Sequence, residues 1–143
     1  MRQNVDRIAH VYRKYWDAGD PPSSDPADPI DDVPIAFQRI YEQRRSPDAL
    51  AALLDLQADG SVEEAKEVAV VALLRQDPVR VLAAAGVLPG RLHGLADRLA
   101  WIVVTAGGED SAVVKRALAV ASASNNKHAR RAARWCLRLI HRG

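Results

Sequence analysis

The residues that most often carry out chemistry, histidine and cysteine, are few in this sequence and widely separated. The four histidines stand at positions 10, 93, 128 and 141, so no two have the three-to-five-residue spacing that is typical of paired zinc ligands. The single cysteine, Cys136, falls on the apolar side of its helix, which is typical of a buried small hydrophobic residue. We therefore predict no metal site, no cofactor and no catalytic cysteine.

One glycine pair and one acidic cluster could belong to a catalytic or phosphate-binding site, but helix structure explains both. Gly107 and Gly108 lie in neither a GxGxxG nor a GK[ST] context, and the chain has no GxSxG motif. Glu63, Glu64 and Glu67 occupy the first turns of a predicted helix, where carboxylates interact favourably with the positive end of the helix dipole. These patterns predict that the protein is not an enzyme.

The last predicted helix carries the clearest candidate for a binding function. A helical wheel brings its basic residues within about 120° of one another and places alanine, cysteine, leucine and isoleucine on the remainder. These basic residues are Lys127, Arg130, Arg131, Arg134, Arg138, His141 and Arg142. A solvated face usually mixes both signs of charge, but this one contains no acid. Two interpretations remain open: a merely solvated face, or a site for an anion such as nucleic acid, an acidic protein or the chain's own aspartate-rich segment.

Trp101 is the second candidate, because it lies with polar residues on its helix and away from the leucine stripe. Tryptophan and arginine are enriched among residues that dominate binding energies, so we expect Trp101 to be partly exposed. Trp135 instead aligns with Ile102 in the other predicted helices and is expected in the core. The predicted partner-binding residues are Asp97, Arg98, Trp101, Thr105, Lys127, Arg130, Arg131, Arg134 and Arg138.

The N-terminal part of the chain differs in composition from the remainder. Residues 1–17 predict an amphipathic helix, and residues 18–33, rich in proline and aspartate, predict an extended linker. Residues 34–143 then form the predicted helical domain. Residues 110–143 carry eight basic side chains and one acidic one, although the net charge of the whole chain is only +2. Short apolar runs, one cysteine and an N-terminus without an apolar segment lead us to expect a cytoplasmic protein.

Helix start and stop signals recur at regular intervals after residue 45. Ser46-Pro47 and Asp77-Pro78 are typical helix starts, and Ser61 to Glu64 has the pattern of a capping box. We expect helices to end near Gly60, Gly86 and Gly107, and Asp110 or Ser111 and then Asn125 or Asn126 to cap the last two. No segment alternates with a period of two, so the sequence predicts an all-α protein.

The helices also match one another at a period of 31 to 33 residues. Three sets of equivalent positions are Ala65, Ala69 and Leu73; Ala96, Ala100 and Val104; and Ala129, Ala133 and Leu137. Leu50, Val81 and Val114 match in the preceding helices. This pattern resembles the HEAT and armadillo helical repeats over about residues 47–142, which implies a short right-handed stack of antiparallel helix pairs. A compact orthogonal helical bundle is the alternative.

The repeat resemblance implies a scaffold that binds a partner through the face built by the second helices. We predict a non-catalytic macromolecular-interaction protein whose partner has an acidic surface, of the immunity, antitoxin or adaptor type found in bacteria. The alternative is a nucleic-acid-binding helical-repeat protein that uses the basic C-terminal helix. Asp97 and Trp101 are faintly similar to the aspartate and tryptophan of alkylation-repair DNA glycosylases, which bind DNA along a basic concave face. No membrane interaction is expected.

Overall fold

A computed structural model describes residues 5–7, 33–56 and 60–142, and within these ranges all regular structure is helical. The protein is therefore all-α, as predicted. Residues 5–7 are helical; the rest of the predicted N-terminal helix and residues 18–32 of the predicted linker lie outside the described residues. The longer helices are α1 (Val33–Arg44), α2 (Pro47–Asp55), α3 (Gly60–Gln76), α4 (Pro78–Gly86), α5 (Pro89–Trp101), α6 (Gly108–Ser122) and α7 (Lys127–Arg142).

None of the helices in the described ranges combines the length and the apolar character needed to cross a membrane.

The chain divides into two compact units, residues 1–70 and 71–143, and the border falls within α3. In the first unit, α1 packs against α2 and buries Phe37 and Tyr41. The Ser46 hydroxyl accepts a hydrogen bond from the Ala49 amide at 3.2 Å, so the predicted N-cap of α2 is confirmed. The Lys66 ammonium donates to the carbonyls of Leu54 and Leu56, at 3.1 and 2.9 Å, and thereby satisfies backbone acceptors at the end of α2.

The second unit is organised around α7, which packs against α4, α5 and α6 and most extensively against α4. The end of α4 comes so close to the start of α7 that a Cβ on Gly86 would lie 2.5 Å from the His128 carbonyl oxygen. The Arg131 guanidinium donates to the Gly86 carbonyl at 2.8 Å, and Arg91 donates to the Ala84 carbonyl at 3.0 Å. Two arginines therefore satisfy carbonyls that the end of α4 leaves unpaired.

Several helix boundaries agree with the sequence signals and others shift by a few residues. Asp77-Pro78 starts α4, Gly86 ends it, and Asn126 caps α7 by accepting a hydrogen bond from the Ala129 amide at 3.0 Å. The prediction for α6 was wrong, because the helix begins at Gly108 after an N-cap at Gly107; Asp110 lies in its first turn and Ser111 is buried. Likewise α2 ends at Asp55, and α3 begins at Gly60 instead of after Ser61.

The end of α5 widens into a π-helical turn over Ile102–Ala106. The Gly107 amide donates to the Ile102 carbonyl at 3.0 Å, a hydrogen bond that spans five residues. Gly107 then adopts a φ of +66°, a left-handed conformation that glycine tolerates best, and the helix ends there.

The predicted equivalence of Leu73, Val104 and Leu137 was wrong. Leu73 is fully buried and Leu137 is half-buried, but Val104 is 55% exposed. Residues spaced by four drift about 40° around the helix axis at each step, and the buried side lies at a different angular position on each helix. Along α5 and the π-helical turn that follows it, the series is buried at Ala96, half-buried at Ala100 and exposed at Val104, whereas in α3 it moves from half-buried to buried. By contrast, Leu50, Val81 and Val114 are all buried.

Candidate binding surface on the last helix

Helix α7 has one apolar side and one basic side. The buried side consists of Ala129, Ala132, Ala133 and Cys136, whose small side chains allow neighbouring helices to approach closely. We call the six lysine and arginine residues on the other side the basic face: Lys127, Arg130, Arg131, Arg134, Arg138 and Arg142. Arg130 is half-buried and the other five are exposed.

The basic face lacks neutralising partners. Among the residues that the structure describes, none of its six side chains forms an ion pair with an acid, although arginines elsewhere in the same unit do pair with Glu109 and Asp77. Like charges on adjacent turns of a helix repel one another. The last turn gains some compensation from the negative end of the helix dipole, but that effect does not extend to Lys127 or Arg130. The face therefore presents a concentrated positive potential to solvent.

Two members of the basic face also have structural roles. Arg130 donates to the Ser124 carbonyl at 3.2 Å, in the turn between α6 and α7, and Arg131 donates to the Gly86 carbonyl. Lys127, Arg134, Arg138 and Arg142 form neither hydrogen bonds nor ion pairs within the described ranges. These four side chains are therefore the members whose charge is most available to a ligand.

Trp135 lies beside the basic face and not in the core, so that prediction was wrong. Its side chain is 37% exposed because it is one residue, or about 100°, from Cys136 at the centre of the buried side. The Arg138 guanidinium lies over its ring, 5.7 Å from the centroid, and the His93 ring of α5 meets it edge-on at 6.3 Å and 65°. The contact with Arg138 follows from their three-residue spacing, whereas no pattern in the sequence pairs Trp135 with His93.

Trp101 is 47% exposed, which confirms the predicted partial exposure. The Arg98 guanidinium lies over its ring at 5.4 Å from the centroid, and both Asp97 on α5 and Thr105 in the π-helical turn are exposed. An arginine held over an aromatic ring loses conformational freedom before any ligand arrives. The two Trp–Arg pairs are thus preorganised contact points on α5 and α7.

The remaining candidates for chemistry are inert or isolated. Cys136 is fully buried, and burial raises the pKa of its thiol from 9.0 to about 12, so the reactive thiolate is scarce at neutral pH. Within the described ranges no three histidine, cysteine, aspartate or glutamate side chains cluster closely enough to hold a metal ion.

Comparison with known proteins adds no relative: no protein-family model, no curated protein and no solved structure matches this chain.

Proposed function

We propose that this chain is a non-catalytic interaction protein that binds the acidic surface of a partner protein through the basic face of α7, together with Trp101 and Trp135. The observation that carries the proposal is the absence of any ion pair on the basic face within the described residues. Six like charges on one helix are unfavourable in the free protein, and an acidic partner would relieve that repulsion. Complementary charge would also accelerate association and exclude partners with basic surfaces.

The tryptophans supply the second force that a protein interface needs. Charge pairs at the rim of an interface contribute little affinity, whereas aromatic side chains buried at its centre contribute much of it. Trp101 and Trp135 each retain exposed ring area that a partner could cover, and each has an arginine already stacked on it. A surface that combines exposed tryptophan with the arginines of the basic face fits a protein partner better than a purely solvated face.

We also infer that the helices form a short right-handed stack of antiparallel pairs, similar to HEAT and armadillo repeats. Two features support this architecture. First, α4 packs against α6 and α5 against α7, in addition to the more extensive packing of α4 against α7. Second, Leu50, Val81 and Val114 are buried at the matching positions.

Within this proposal the biological role is that of an immunity, antitoxin-type or adaptor protein. Such proteins need a stable scaffold and one complementary surface, without a catalytic centre. The binding residues predicted from the sequence have different roles in this proposal. Lys127, Arg134 and Arg138 attract the partner, and Trp101 with Arg98 forms an anchor. Arg130 and Arg131 also donate hydrogen bonds to backbone carbonyls.

Affinity capture with three variants in parallel tests this proposal. Arg134→Glu/Arg138→Glu lowers the formal charge of the basic face from +6 to +2 without removing a backbone hydrogen bond. Arg39→Glu/Lys115→Glu changes the net charge equally at exposed positions on α1 and α6 and is the matched control. Trp101→Ala removes an anchor without changing charge. A protein retained by the wild type and the control, and lost by the other two, supports the proposal; a protein retained equally by all four contradicts it.

Nucleic acid is the second candidate ligand, because arginine together with exposed tryptophan also suits phosphates and stacked bases. The two candidates differ in their dependence on salt. Binding to arbitrary duplex DNA through phosphate contacts loses affinity steeply and log-linearly as salt is raised. A titration with a random-sequence duplex at 50 and 200 mM salt therefore separates them. Tight binding at low salt that is lost in Arg134→Glu/Arg138→Glu would favour nucleic acid over an acidic protein.

A further inference from the structure

A groove of about 400 Å³ lies in the second unit, between the junction of α3 with α4 and one side of α6. Its apolar lining is the exposed Val120 with the largely buried Leu74 and Val113, and Arg75, Glu109 and Arg116 line it with charge. Glu109 and Val120 are eleven residues apart on α6, so the groove follows that helix for about 16 Å. No α7 residue lines it among the described residues, and it is therefore distinct from the basic face.

The charges in this groove do not balance. A single carboxylate oxygen of Glu109 is shared by two guanidinium groups, at 3.5 Å from Arg75 and 3.3 Å from Arg116. Each guanidinium carries five N–H donors, so this sharing leaves most of them unused and leaves one positive charge in excess. All three side chains are well exposed, and ion pairs of this kind contribute little to folding stability. Two neighbouring guanidinium groups can instead donate hydrogen bonds to a second carboxylate.

The apolar side of the groove supplies the complementary half of a binding site. Val120 is 52% exposed, so its apolar side chain is available to a ligand. The volume is at the lower end of the range for ligand sites, large enough for a few side chains but not for a whole helix. An extended polypeptide rises about 3.3 Å per residue, so about five residues would span the groove.

We propose that this groove binds a short extended segment of a partner protein in which an acidic residue is adjacent to a large aliphatic one. The carboxylate lies between Arg75 and Arg116, and the aliphatic side chain covers Val120. The partner's backbone remains at the open side of the groove, where water can satisfy its polar groups. Glu109 competes with the incoming carboxylate for the same donors and so limits affinity. This site does not depend on the basic face.

Amide chemical-shift titration of the ¹⁵N-labelled protein tests this inference, because it detects weak binding and reports on folding in the same spectra. The probe is acetyl-Leu-Glu-Leu-amide, and the control peptide has glutamine in place of glutamate. We expect saturable shifts at Val113, Ala117 and Val120 with the glutamate peptide, and binding at least fivefold weaker with the glutamine peptide. Equal binding of the two peptides, or no saturable shift at these residues, would overturn the proposal.

Three variants test whether the peptide binds in this groove, and they are expected to strengthen, abolish or leave unchanged its binding. Glu109→Gln should bind the glutamate peptide at least threefold more tightly, because both arginines become free of their internal acid. Arg75→Gln/Arg116→Gln should abolish the shifts, and Arg134→Gln, on the basic face, should leave them unchanged. Weaker binding by Glu109→Gln would contradict the inference. Binding of free 4-methylpentanoate as tightly as the peptide would also overturn it, in favour of a site for small carboxylates.

Discussion

Gly86 and His128 meet backbone to backbone: a Cβ on Gly86 would lie 2.5 Å from the His128 carbonyl oxygen and 3.1 Å from its carbonyl carbon. The obstacle is main chain at the start of α7, so it cannot move aside as a flexible side chain would. Gly86→Ala should therefore force α4 and α7 apart and lower the free energy of unfolding by about 1–3 kcal/mol, as overpacking does elsewhere. Urea denaturation followed by circular dichroism measures this change.

Gly94 is the matched control for that substitution. It also lies within a helix, but nothing would approach a Cβ there within 4 Å. Gly94→Ala should stabilise the protein by about 0.5–1 kcal/mol, because alanine has the higher helix propensity. Opposite signs for the two substitutions are expected. If Gly86→Ala is as stable as the wild type, α4 and α7 do not approach as closely at Gly86 as described.

Cys136 should not react with iodoacetamide in the folded protein. With a pKa of about 12, only about one thiol in ten thousand is ionised at pH 8, and the side chain is fully buried. Alkylation followed by mass spectrometry should therefore proceed at least 1,000-fold more slowly than in 8 M urea, a factor set on the order of the thiolate fraction. Rapid labelling without denaturant would place Cys136 at the surface of α7.

Replacement of Lys66 by methionine should destabilise the first unit while keeping its apolar stem. The carbonyls of Leu54 and Leu56 lose their donor, and the expected cost is about 1–3 kcal/mol. Burial lowers the pKa of Lys66 below 10.5, with Asp55 partly opposing the shift, so the unfolded chain binds this proton more strongly. Wild-type stability relative to Lys66→Met should therefore rise as the pH increases through the folded pKa towards 10.5. A pH-independent difference between the two proteins would contradict this account.

Leu73 and Val104 occupy matching positions in the sequence pattern, but Leu73 is buried and Val104 is exposed. Leu73→Ala should lower the free energy of unfolding by about 2–5 kcal/mol because its side chain is fully buried. Val104→Ala, at a site that is 55% exposed, should change it by less than about 0.5 kcal/mol. Thermal or urea unfolding of both variants checks the pair. If both substitutions lower the free energy of unfolding by similar amounts, Val104 is buried in the core and not exposed.

The sequence was informative wherever structure depends on local chemistry. Ser46, Asp77-Pro78, Gly86 and Asn126 mark helix ends because a cap, a proline ring or a missing Cβ acts within a few residues of its own position. The lack of period-two alternation was likewise enough to predict the all-α class. The basic face of α7 could be located because the periodicity of one helix determines which residues share a side.

The sequence was misleading wherever burial depends on helices distant in the chain. Trp135 and Val104 were predicted as core from alignment alone, but the angular position of the buried side differs from one helix to the next. Arg131 bonds the carbonyl of a residue 45 positions away, and His93 meets Trp135 across a helix interface. Neither contact has a periodic signal, so neither could be inferred without the structure.

The basic face of α7 is proposed to bind an acidic partner protein, and the affinity of purified variants for the captured partner tests this binding most directly. Isothermal titration should give a Kd for Arg134→Glu/Arg138→Glu at least 100-fold weaker than for the wild type, about 2.7 kcal/mol or more. The control Arg39→Glu/Lys115→Glu should bind within about threefold of the wild type, because its charges lie elsewhere. If the Arg134→Glu/Arg138→Glu protein is folded and binds as tightly as the control, the basic face is not the binding surface.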